Sequence, residues 1–194
     1  MTHPPESNAI LTASEKQTLL SMARRSIEHA LKERRALPPD AFEEEATAAM
    51  NRPMGCFVTL NTRDTGALRG CIGEIEARLP LCQAVTGLAL HAAFRDPRFA
   101  PLTLPEWPNI RIEISALTPS HPVDSWHDIV IGKHGMTLSK RGRMAVFLPQ
   151  VAREQHWDLA TTLTHLALKA GLDPDDWRED ARFTVFEAIV FHEA

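Results

Sequence analysis

Residues 66–74 read Gly66-Ala67-Leu68-Arg69-Gly70-Cys71-Ile72-Gly73-Glu74, a strand-length run holding three glycines, an arginine and a thiol. Upstream, Gly55 to Leu60 is a second apolar run, and the polar loop Asn61-Thr62-Arg63-Asp64-Thr65-Gly66 joins the two as a hairpin. The pleat constrains the pairing. Cys56, Val58 and Leu60 make one apolar face, which Leu68, Gly70 and Ile72 match. Arg69 and Cys71 then point to the other side with Phe57 and Thr59, so Cys56 and Cys71 lie on different faces and are not expected to form a disulfide. Glycine weakens a strand, so Gly70 and Gly73 need a reason: a bulge, or the close approach of another backbone or a ligand. A cation beside a thiol favours the thiolate, which makes Arg69 and Cys71 a candidate functional pair. The plainer alternative is a small packed cysteine and an arginine paired with an acid.

Outward from this hairpin, the elements follow from hydrophobic period. Thr12-x-x-Glu15 and Ser14-x-x-Gln17 both fit a capping box, and Leu19, Leu20, Ala23, Ile27, Ala30 and Leu31 repeat at helical spacing until Pro38-Pro39. Ala41 to Met50 reads as a short acidic helix. Pro80 to Phe94 reads as a second long helix, with Val85, Leu88, Ala89 and Ala92 as its stripe. Four prolines stiffen Asp96 to Pro108, and Ile110 to Ala116 alternates as a half-buried strand. Pro119 to Asp128 is a connector. Ile129–Gly132, Gly135–Ser139 and Met144–Leu148 read as short strands, the latter two a hairpin over Lys140-Arg141-Gly142-Arg143. Asp158 caps a helix that Gly171 closes. Phe183 to Phe191 is apolar on both faces, the mark of a central strand. This order is not a strict alternation of strand and helix. It gives an α+β fold with a mostly antiparallel or mixed sheet packed with helices, and residues 119–148 as a candidate smaller lobe.

Composition narrows the function. The 194 residues carry 21 Lys+Arg against 25 Asp+Glu, a net charge of −4, which argues against a dedicated nucleic-acid binder. No run approaches the roughly 20 apolar residues of a membrane span. Met1 to Ala13 shows neither a basic nor an apolar leader segment, and three cysteines are too few for a disulfide scaffold, so a reduced cytoplasmic protein is expected. The chain has no Tyr, which removes that residue as a catalytic acid. Glycine-rich nucleotide loops, C-x-x-C, H-E-x-x-H and G-x-S-x-G are all missing, so neither cofactor nor metal is expected.

Two other segments carry chemistry. Asp96-Pro97-Arg98-Phe99 follows the second helix, where Arg98 either locks the turn against Asp96 or presents a guanidinium to a carboxylate or phosphate. Gly132-Lys133-His134-Gly135 places His134 between glycines, as a candidate base or ligand. With Lys140, Arg141 and Arg143 it makes a basic tip that attracts an anion or is simply solvated.

These segments, in this order, resemble the AMMECR family, whose prokaryotic members are called AmmeMemoRadiSam system protein A. Its hallmark L-R-G-C-I-G stands unbroken at Leu68–Gly73. The likeness extends through Phe57-Val58-Thr59-Leu60, Asp96-Pro97-Arg98-Phe99, Ile112-Glu113-Ile114-Ser115, Gly132-Lys133-His134-Gly135, Phe147-Leu148-Pro149-Gln150-Val151 and Lys169-Ala170-Gly171-Leu172. It departs at Met136, where an aliphatic residue such as Leu is expected. The resemblance implies one AMMECR-type domain over 1–194, with two unequal lobes of which the larger holds both termini. It implies a place beside a Memo-like protein and a radical S-adenosylmethionine (SAM) protein.

Two readings follow. In the first, the chain is a cofactor-free component that recognises a small anionic or peptide ligand in an inter-lobe cleft, through Arg69, Gly70, Gly73 and Arg98 around Cys71 and His134. In the second it is an enzyme with Cys71 as nucleophile and His134 as base.

Overall fold

The computed structural model describes residues 10–194. The leader-free reading of Met1 to Ala13 falls largely on residues 1–9, outside the described residues. The chain divides into two compact units: one runs to Ala116 and takes up Ile189–Ala194, and the other is Leu117–Ala188. Residues 119–148 lie within the second, together with two helices and part of the last strand.

In the first unit, helix α1 is Ala13–Glu33. The Thr12 box forms as read: Thr12 Oγ1 accepts from the Glu15 N–H at 3.2 Å, and the Glu15 carboxylate accepts from the Thr12 N–H at 2.8 Å. Leu19, Leu20, Met22, Ala23 and Ile27 face the core. The helix stops before Pro38, because Arg34 turns into the left-handed region (φ 56°) and its N–H closes on the Ala30 carbonyl. The helix expected over Ala41–Met50 is a single 3-10 turn at Glu43–Glu45. Only Phe42 and Met50 in that run are buried, too few for a helical stripe.

Strands β1 (Cys56–Thr62) and β2 (Leu68–Glu74) pair antiparallel in the expected register, with Val58 opposite Ile72, Thr59 opposite Cys71 and Leu60 opposite Gly70. Cys56 and Cys71 are therefore on opposite faces. Beyond Gly70 the ladder slips: Asn61 faces Leu68, and Arg69 is the extra residue of a bulge. Leu68, expected on the core face, is consequently 42% exposed.

Helix α2 (Leu81–Phe94) buries the stripe read from the sequence and adds Leu81, Ala84 and Ala93. It lies so close to β2 that a Cβ on Gly70 would sit 2.2 Å from the Ala92 carbonyl oxygen. Strand β3 (Ile110–Leu117) pairs with β1 and sends Ile110, Ile112, Ile114 and Ala116 into the core shared with both helices. Each of the three isoleucine side chains contributes about 1.5–3 kcal/mol by leaving water.

The second unit is built on β4 (His121–Val123), β5 (His134–Lys140), β6 (Arg143–Phe147) and β7 (Arg182–His192), all paired antiparallel in the order β4-β7-β5-β6. Strand β7 is central, as its two apolar faces require, and its last residues belong to the first unit, where the Glu193 N–H donates to the Ile112 carbonyl. Arg141 (φ 51°) and Gly142 (φ 74°) make the two-residue turn between β5 and β6. Lys140 is not part of an open basic tip: its side chain is 7% exposed, and its ammonium donates to the Asp176 carboxylate and to the carbonyls of Asp176 and Glu179. Ile129–Gly132 is a turn and not a strand, since the Val130 carbonyl accepts from the N–H groups of both Lys133 and His134. Helix α3 (Pro149–Glu154), which the sequence did not signal, precedes α4 (Leu159–Lys169), capped by Asp158 as read. No helix among the described residues is long and apolar enough to cross a membrane.

The approach of α2 to β2 sets a measurable order. Gly70→Val forces a branched side chain onto a backbone oxygen and is expected to cost about 1–3 kcal/mol or more, whereas Cys71→Ala removes little volume. Denaturant melts should rank Gly70→Val as the less stable variant.

Candidate functional site

Cys71 sits on β2, the outer strand of the first unit's sheet, beside the bulge at Arg69. The segment after α2 covers that edge with side chains where a neighbouring strand would otherwise lie. Asp96 Oδ2 accepts from the Cys71 N–H at 2.8 Å, and Arg98 Nη2 donates to the Cys71 carbonyl at 3.2 Å. Arg98 also grips Asp96 bidentately, Nε to Oδ1 at 3.0 Å and Nη2 to Oδ2 at 2.7 Å, and its own N–H donates to Oδ1. The Asp96 side chain is 1% exposed and that of Arg98 54%. The Arg98 guanidinium, outweighing burial, holds the Asp96 carboxyl far below the usual carboxylate range. Asp96 and Arg98 thus lock the turn and leave one edge of the guanidinium, with Nη1, free of hydrogen bonds among the described residues.

Arg69 is placed differently. Its side chain is largely buried; Nε and Nη2 donate to Glu106, and Nη2 donates to the Ala100 carbonyl at 3.0 Å. Its Nη1 is buried without a hydrogen-bond partner among the described residues. Arg69 first, then the Thr103 hydroxyl, hold the Glu106 carboxyl down to about 2. The Phe99 ring lies near both guanidinium groups, 5.9 Å from that of Arg69 and 5.5 Å from that of Arg98.

Gly70 and Gly73 serve close packing: the Ala92 carbonyl fills the space beside Gly70, and the cross-strand Phe57 ring would lie 2.2 Å from a Cβ on Gly73. The Cys71 thiol accepts from Thr59 Oγ1 at 3.3 Å, and Thr59 faces Glu113 on β3, so thiol, hydroxyl and carboxylate stand in one row across three strands. Cys71 is half-buried, while Cys56 is enclosed and burial pushes its thiol up to about 12. Burial raises the Cys82 thiol as well. The roles of Asp96 as partner to the Cys71 amide and of Glu106 carry no signal of spacing, because both depend on the path of a proline-rich segment.

His134 belongs to the second unit, at the start of β5. Its Nδ1 accepts from the Val130 N–H at 3.1 Å, and burial, then the nearby Lys133 ammonium, lower its pKa. Both effects favour the neutral ring, the form a base needs, yet the Nδ1 lone pair is already engaged. No group of three or more His, Cys, Asp or Glu side chains among the described residues is arranged to hold a metal ion.

Residues 20–191 match the AMMECR1 family profile. A protein of Methanopyrus kandleri is 39% identical over 191 residues, covering 94% of this chain and 90% of the relative. One of Methanocaldococcus jannaschii is 41% identical over 157 residues, covering 77% and 78%. The crystal structure of an uncharacterised protein from Pyrococcus horikoshii superimposes with a TM-score of 0.77 at 34% identity, covering 95% of this chain and 94% of that one.

Two outcomes follow from the site's geometry. N-Ethylmaleimide at neutral pH should modify Cys71 first, with Cys56 at least about tenfold slower because it must wait for an opening of the fold; peptide mapping over time gives the order. Acid should also unmask Asp96. Its folded-state pKa is depressed, so its stabilising contribution is present above about pH 4, the unfolded value, and is lost as pH falls towards the folded one. In Asp96→Asn, stability at neutral pH should drop and the loss of stability below about pH 4 should be shallower than in the wild type, by urea melts across pH.

Proposed function

Because this chain belongs to the AMMECR1 family, we propose that it serves as the A component of an AmmeMemoRadiSam system, beside a Memo-like protein and a radical SAM protein in a reduced cytoplasm. Its part is recognition: the surface around Cys71 and Arg98 receives a small anionic or peptide ligand. The observation that supports this most is the half-exposed Arg98 guanidinium, fixed along one edge by a buried carboxylate. A guanidinium ordered before binding loses less entropy when it meets a carboxylate or phosphate. The Asp96–Arg98 pair is neutral as a whole, so the selectivity comes from directed donors and not from a broad positive field.

The rival reading, Cys71 as nucleophile and His134 as base, draws on the half-exposed thiol and the neutral imidazole. It requires His134 Nδ1 to leave the Val130 amide before it accepts a proton, which makes recognition the better supported of the two.

A thermal-shift panel of small carboxylates, phosphates and short peptides tests the proposal. At least one class should raise the Tm of the wild type by about 2–4 °C, and Arg98→Ala should lose the shift while Cys71→Ala keeps it. No shift in the wild type, or an equal shift in Arg98→Ala, would sink the recognition reading. Turnover of a bound compound that disappears in both Cys71→Ala and His134→Ala would favour the rival.

A further inference from the structure

The C-terminal ends of α1 and α2 flank an open groove of about 450 Å³, apart from the Cys71 surface. Its floor is apolar, with Ala30, Leu90 and Phe94, and its lip carries Arg34, Arg35 and Arg95, all exposed. No acidic residue lines it, and none of the three arginines makes an ion pair among the described residues. In a chain of net charge −4 this is a concentrated positive site. Basic residues at helix C-termini do complement the helix dipole, but that role needs no apolar floor between them.

Gly87 supplies an independent observation. It lines the same groove from the interior of α2, where glycine weakens a helix relative to alanine. Of the nine glycines, Gly55, Gly70, Gly73 and Gly135 lie against atoms that a Cβ would strike, and Gly66, Gly132, Gly142 and Gly171 have positive φ. Gly87 has neither: its φ is ordinary, and a Cβ would meet nothing within 4 Å. Nothing among the described residues calls for a glycine there, while a body lying along the groove would.

We propose that this groove docks an acidic amphipathic segment of a partner protein. An apolar side chain of that segment passes over Gly87 onto Leu90 and Phe94, and neighbouring carboxylates meet Arg34, Arg35 and Arg95. The open form of the groove suits a segment laid along it, one side chain inserted, in the manner of helix-in-groove recognition. The charge pattern selects acidic sequences and disfavours basic ones.

The full-length chain, immobilised, can be panned against a random-peptide phage library, and the enriched peptides then measured by fluorescence anisotropy. Peptides with paired carboxylates beside an aromatic or aliphatic residue are expected. Their Kd should rise about tenfold or more in Arg35→Glu and Arg95→Glu, since each reversal replaces an attraction by a repulsion. Gly87→Ala and Gly87→Leu should keep or raise Tm, by about 2–4 °C for the former, while Gly87→Leu loses peptide binding. That pairing of retained stability with lost binding separates docking from a structural role. Enrichment of non-acidic peptides, equal binding by Arg95→Glu, or undiminished binding by Gly87→Leu overturns the proposal. Failure to enrich any peptide also overturns it. If sedimentation shows self-association of the wild type that Arg95→Glu abolishes, the occupant is a second copy of this chain and the partner proposal is equally overturned.

Discussion

The Asp96 side chain is 1% exposed, and four donors hold its carboxylate: the Cys71 N–H and the N–H, Nε and Nη2 of Arg98. A carboxylate in that position is tolerable only while those donors stay in place; stripping a buried ion of its partner costs about 3–5 kcal/mol. The constraint therefore fixes three things together. It ties the turn after α2 to the outer edge of β2. It holds the end of α2 over Gly70, where only a missing side chain allows the Ala92 carbonyl to approach. It satisfies the Cys71 peptide group at an edge that would otherwise pair with another chain. The thiol remains half-buried on the sheet face, with its backbone immobilised from one side and its sulfur accepting a hydrogen bond from the Thr59 hydroxyl.

Much of the fold is legible in the sequence wherever a period or a capping residue carries it. The Thr12–Glu15 box, the α2 stripe, the alternation of Ile110–Ala116 and the Asp158 cap all answer to local rules, and the structure follows them. The hairpin register is legible because a slip of one residue would put Val58 and Ile72 in water. Short segments escape these rules, because they hold no full period. Ile129–Gly132 is apolar enough for a strand, but Gly132 at positive φ bends it into a turn. β4 and α3 are too short to rise above their connectors. The bulge at Arg69 has no local signature, because nothing in Leu68-Arg69-Gly70 distinguishes a regular pleat from one carrying an extra residue.

The candidate site shows the same division. Cys71 and the paired Asp96 and Arg98 could be singled out, since a thiol between strand glycines and charges around a proline are locally unusual. Which arginine faces solvent could not. Arg69, two residues from the thiol in sequence, is the extra residue of the bulge and is held by Glu106; Arg98, far away in sequence, is the one left half-exposed. Lys140 makes the point again: read as part of a basic tip, it is buried against Asp176 because a later loop folds over it. In each case the partner is supplied by a segment whose course local pattern does not encode.

The arginines of the first unit thereby fall into two physical kinds. Arg69 and Arg98 each have a carboxylate within hydrogen-bonding distance, so their charge is cancelled at short range and what they offer is geometry. Arg34, Arg35 and Arg95 are exposed and have no such partner among the described residues, so they project a field. Salt screens these unequally. At physiological ionic strength the Debye length is about 8 Å, which attenuates a field reaching into solvent but leaves a hydrogen bond at contact nearly intact. As proposed, recognition through the Cys71 surface would be short-ranged and selective in shape, whereas the groove at the helix ends would attract from a distance and release as ionic strength rises. If both proposals hold, one small unit would keep a ligand firmly at one place and engage a protein reversibly at another, since the residues assigned to the two are distinct.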